Sequence, residues 1–113
     1  MEVQLMDEKA LNELVEGILS IFNNQVIRIV LYGSYARKTN TPESDVDVAL
    51  LLNGELNEST EDKLSDLVVD LNLKYDKVFS VIDIDYAVFK KWENITPFYK
   101  NVNKEGIVLW KAA

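Results

Sequence analysis

Apolar residues recur along this chain with two different periods, and each period predicts a different kind of element. Leu11, Leu14, Val15, Ile18, Leu19 and Phe22 fall at three- and four-residue spacing, which predicts a helix buried on one face, with Asp7 as its N-cap and Asn23-Asn24 as its stop. Val26-Ile27-Arg28-Ile29-Val30-Leu31-Tyr32 is a β-branched apolar run ending at Gly33, and a second run, Val46 to Leu52, ends at Asn53-Gly54. Both read as strands covered on at least part of both faces. From Ser59 the helical period returns. Leu64, Leu67, Val68, Leu71 and Tyr75 share one side, and Glu61, Asp62, Lys63, Asp66 and Asp70 the other. A third strand is predicted over Val78-Phe79-Ser80-Val81-Ile82-Asp83-Ile84. Thr96-Pro97 starts a short helix carrying Phe98, Tyr99 and Val102 and closed by Gly106, after which Ile107 to Trp110 forms a last short strand or docking segment.

The order helix, strand, strand, helix, strand, helix predicts an α/β (α+β) fold: a small mixed or antiparallel sheet with helices packed mainly on one face. The short connection between the first two strands permits an antiparallel pair. At 113 residues the chain suits one domain, spanning 1–113, with a core large enough to need no staples. It contains neither cysteine nor histidine. That removes disulfides, thiol-ligated metal sites, Ser-His-Asp triads and imidazole acid–base chemistry together, leaving carboxylates, hydroxyls, Lys/Arg and the backbone. A net charge of −7, from 19 acidic and 12 basic residues, argues against nonspecific binding to nucleic-acid phosphates and favours cations or basic proteins as partners. The N-terminus lacks the pattern of a signal peptide and no apolar run is long enough for a membrane span, so the expected location is cytoplasmic.

Chemistry concentrates in Leu31-Tyr32-Gly33-Ser34-Tyr35-Ala36-Arg37-Lys38 and Ser44-Asp45-Val46-Asp47-Val48. Gly33 permits a tight turn at a strand end and a close approach of phosphate oxygens to backbone N–H groups, and Ser34 adds a hydroxyl. Asp45 and Asp47 are two apart at the start of a strand, so the pleat points both carboxylates to the same side. Like charges so placed call for a cation between them. Mg²⁺ takes oxygen ligands and commonly combines one or two carboxylates with substrate phosphates. A phosphate-accepting turn beside a carboxylate pair is what metal-assisted phosphoryl transfer needs.

Gly33-Ser34, ten intervening residues, then Asp45-Val46-Asp47 resembles the signature of the DNA polymerase β-like nucleotidyltransferase superfamily, and within it the minimal nucleotidyltransferases, often antitoxins paired with HEPN-domain toxins. The resemblance runs loosely over the whole chain. It implies that Gly33 and Ser34 contact the triphosphate and that Asp45 and Asp47 ligate metal. Arg37 stands where many members carry a basic residue; it and Lys38 either screen phosphate charge or are solvated loop cations. The family's third carboxylate falls at or near Ser80 here. Asp83 is the nearest candidate to replace it, but alternation puts Asp83 on the opposite face from Ser80, so it enters the site only through a bulge or shifted register. Asp76 is the weaker candidate.

The implied activity is Mg²⁺-dependent transfer of a nucleoside monophosphate, AMP from ATP, to a hydroxyl acceptor. Larger members carry extra domains for base and acceptor, for which this length leaves no room. The acceptor surface is therefore expected on a partner such as a HEPN toxin, or on a second copy of the chain. The competing readings are a module that neutralises a partner by contact alone and a nucleotide sensor without turnover. Glu55, Glu58, Glu61, Asp62, Asp66 and Asp70 read as a solvated face and loop edge, Pro42 and Glu43 as loop shapers, and Trp92, Trp110, Phe98 and Tyr99 as core closure, the alternative being a partner-binding or base-stacking surface.

Overall fold

The computed structural model describes residues 2–41, 43–54 and 56–113, with side chains from residue 8 onward; Pro42 and Glu55 of the sequence reading lie outside the described residues. The chain runs α1 (Glu2–Phe22), a 3-10 turn, β1 (Val26–Tyr32), α2 (Ser34–Arg37), β2 (Val46–Leu52), α3 (Glu58–Tyr75), β3 (Phe79–Asp85), α4 (Tyr86–Trp92), α5 (Pro97–Glu105) and β4 (Ile107–Lys111).

In α1 the buried stripe is Ala10, Leu14, Ile18 and Phe22, one residue per turn. The helix begins at Glu2, so Asp7 lies inside it and is not its N-cap. Nothing in Glu2-Val3-Gln4-Leu5-Met6 breaks a helix, and most of those residues favour one, so the helix does not wait for Asp7 to start. Helix α3 is set at its start by Asn57, whose side chain accepts from Thr60 N–H at 2.9 Å while Thr60 Oγ1 accepts from Asn57 N–H. It ends at Asp76 in the left-handed conformation.

The four strands form one mixed sheet in the order β3-β2-β1-β4. β1 pairs antiparallel with β2 and with β4, and β2 pairs parallel with β3 across the α3 connection. The pleat of β2 divides the molecule. Val46, Val48, Leu50 and Leu52 face α1 and α3 and form the larger core with Leu14, Ile18 and Phe79. Ala49 and Leu51 face the other way, into a smaller core with Val30, Ile84, Phe89 and Val102. The two long helices thus share one face, and the shorter α4 and α5 cover part of the other. Phe98 and Tyr99 pack on the smaller core and Trp110 on the larger one, whereas Trp92 remains 41% exposed. Glu58, Glu61, Asp62, Asp66 and Asp70 are exposed, as their spacing predicts. Among the described residues no helix is long and apolar enough to cross a membrane.

Candidate active site

The site lies where β1 ends and β2 begins, on the α4–α5 side of the sheet. Tyr32 is the register partner of Asp47, so the last residue of β1 and the second of β2 sit side by side. Gly33 follows at φ +76°, a conformation L residues rarely adopt, and turns the chain into the single helical turn α2. A Cβ at Gly33 would stand 2.5 Å from Asp47 Oδ2, so the absent side chain leaves the space the carboxylate fills. The turn is tied by Arg37 N–H donating to Gly33 O at 3.1 Å and Thr39 N–H donating to Ser34 O at 2.9 Å.

Asp45 is exposed, one residue ahead of β2, while Asp47 is half-buried within it. Burial pushes the Asp47 carboxyl above the ordinary aspartate range, the negative charge of Asp45 pushes it the same way, and the Arg37 guanidinium partly offsets both. The structure therefore brings together Gly33, Asp45, Asp47 and Arg37, with Ser34 opening the turn beside them. Arg37 also forms an ion pair with Glu105 on α5 at 3.7 Å. Both side chains are roughly half-exposed, so the pair adds little stability.

Asp83 does not join this group. β2 and β3 pair in parallel without a bulge, Asp47 opposite Ser80 and Leu50 opposite Asp83. Ser80 thus shares the Asp47 side of the sheet, and Asp83 lies with Phe79 and Val81 on the α1–α3 side. The register shift that would have carried Asp83 into the site is absent, because seven consecutive pairs leave no extra residue to accommodate it. Asp76 ends α3 as its left-handed cap.

Two neighbours escaped the sequence reading. Tyr32 was read only as a strand end, yet burial and the Asp47 charge raise its phenol above the usual tyrosine range. Its ring meets Phe98 edge-on at 5.3 Å, which anchors the site to α5. An antiparallel register drawn through the Gly33 turn would have exposed Tyr32. No local signal marks Glu105.

Residues 11–109 match the nucleotidyltransferase domain family. The chain belongs to that family. It is also 38% identical over 104 residues to MJ0604 of Methanocaldococcus jannaschii, whose name carries a provisional protein adenylyltransferase assignment; the alignment covers 92% of this chain and 98% of that protein. Among solved structures, the nucleotidyltransferase resembles a toxin–antitoxin crystal structure with AMP-PNP (TM-score 0.62, 22% identity, 89% of this chain and 73% of the other). It also resembles a structure of a tri-AMPylated Shewanella oneidensis HEPN toxin in complex with an MNT antitoxin (TM-score 0.55, 20% identity, 96% and 72%). Those two likenesses establish the fold.

Proposed function

We propose that this nucleotidyltransferase transfers AMP from ATP to a hydroxyl on a partner protein, in the cytoplasm, using Mg²⁺ held by Asp45 and Asp47. The observation that carries the reading is the Asp47 carboxylate, seated in the space left by Gly33 with a second carboxylate close enough to raise its pKa. That donor set fits the ion: two hard oxygen ligands whose repulsion a divalent cation relieves, beside a turn open to phosphate. When bound, Mg²⁺ would neutralise charge on the phosphoryl oxygens. Gly33 and Ser34 would hold the triphosphate through the backbone and hydroxyl, and Arg37, at the end of the same turn, would face its negative charge. In the reaction the acceptor oxygen bonds to the α-phosphorus, the bond to the departing pyrophosphate breaks, and the hydroxyl proton passes to solvent water. The protein adenylyltransferase assignment of MJ0604 supports a protein acceptor, and the fold shared with an MNT antitoxin complex supports a HEPN-type toxin as that partner.

One observation favours a second reading, in which the chain neutralises its partner by contact with little or no turnover. Ser80, not a carboxylate, stands opposite Asp47 on the neighbouring strand. Titration calorimetry tests the metal and nucleotide parts directly. ATP should bind one per chain with Mg²⁺ present, at least tenfold more weakly in EDTA, and with the same loss in Asp45→Asn. ATP binding that is indifferent to EDTA and to Asp45→Asn would remove the carboxylate-bound ion from the account.

A further inference from the structure

The side of β3 away from Asp47 is also built to receive something. β3 is an edge strand that pairs with β2 alone. Val46 N–H donates to Val78 O at 2.8 Å, which, with Phe79 opposite Val46, turns the backbone groups of Phe79, Val81 and Asp83 outward. Phe79 N–H is taken by Asn72 Oδ1 at 2.8 Å. Among the described residues the outward N–H groups of Val81 and Asp83 have no partner. Alongside them, between β3 and α3, runs a groove of about 350 Å³ walled by Leu64, Val69, Phe79 and Val81, with Glu61 and Asp83 among its lining residues. The same two carboxylates line the adjoining hollow that continues to Asp85, which places the negative charge at one end of the groove. Val69 on its rim is 54% exposed, and Leu73, one turn further along α3, is 80% exposed.

We propose that this edge docks an extended, mainly apolar segment of a partner protein that places a lysine or arginine against Glu61 and Asp83. Unpaired strand N–H groups select an extended occupant, which adds a strand by main-chain bonds and seats alternate side chains in the adjacent groove. The carboxylates select its charge. A second copy of this chain is the poorer occupant: its own β3 edge, Phe79–Asp85, carries two aspartates and no lysine or arginine, so it brings no counter-charge to Glu61 and Asp83. The surface stands apart from the nucleotide site, since Asp83 and Asp47 lie on opposite faces of the sheet.

The test is an NMR titration with two capped eight-residue peptides of alternating valine and threonine, one ending in arginine and the other in glutamate. The arginine peptide should shift the Val81 and Asp83 amides, slow their hydrogen exchange, and bind at least tenfold more tightly than the glutamate peptide. Asp83→Lys should reverse that preference, and Val69→Asp should weaken both peptides; both positions are exposed, so the fold tolerates the changes. Indifference to peptide charge, or shifts that avoid β3, would overturn the proposal. So would concentration-dependent protection of the Val81 and Asp83 amides without peptide, which would show the edge pairing with a second copy.

Discussion

Asp47→Asn should lower nucleotidyl transfer by a hundredfold or more while leaving the metal-free protein as stable as before, or slightly more so. The two effects have one cause. In the fold the Asp47 carboxyl is raised by burial and by Asp45, so its ionised form is disfavoured relative to the unfolded chain. A group with a raised folded pKa contributes its stability below the unfolded pKa and loses it as pH rises through the folded value. At neutral pH the charge on Asp47 therefore costs stability unless a cation lies beside it. Asparagine keeps the volume and removes that cost, and the gain should vanish as pH falls through the acid range where Asp47 takes up its proton. Catalysis moves the other way. Losing charge stabilisation of about 3 kcal/mol at the transferring phosphate slows the step about a hundredfold. Leu14→Ala is the control: Leu14 is fully buried on α1, so its truncation should cost about 2–5 kcal/mol and leave the folded fraction's activity largely intact. Denaturant melts across pH, paired with transfer rates, read both arms. Unfolding by Asp47→Asn with unchanged specific activity would make Asp47 a structural residue.

Gly33→Ala should damage both fold and activity. The backbone at φ +76° and ψ −153° is a region almost confined to glycine and strains any L residue by about 1–3 kcal/mol, and the new methyl would meet Asp47 Oδ2 at 2.5 Å. Together these predict a stability loss of about 2–4 kcal/mol and, because the carboxylate must move, a transfer rate at least tenfold lower. A double-mutant cycle separates the parts. In an Asp47→Ala background the contact disappears, and the cost of Gly33→Ala should shrink to the backbone strain alone. Equal costs in both backgrounds would show that Gly33 serves only the turn.

What the sequence disclosed follows from how local each signal is. The strands Val26–Tyr32 and Val46–Leu52 are legible to the residue because β-branched runs end there at turn residues, and β3 is displaced by one because Val78 lends β2 only its carbonyl while the paired residues run on to Asp85. Helix α4 escaped because it follows β3 with no glycine, proline or loop between them. Its start is marked only by Asp85, whose side chain accepts from Ala87 N–H at 3.0 Å. Alternation was enough to separate Ser80 from Asp83 before any register was known. Tyr32 and Glu105 required tertiary information: one enters through the pairing of β1 with β2, the other through α5 folding back toward Arg37.

The purified protein is mixed with Mg²⁺, ATP labelled at its α-phosphate and a HEPN-type toxin as the partner. Label should join the partner covalently with equal release of pyrophosphate, both absent in EDTA and reduced at least a hundredfold by Asp47→Asn. A partner that binds and is neutralised without acquiring label or releasing pyrophosphate would contradict the proposed transfer, and would leave this nucleotidyltransferase fold acting by contact alone.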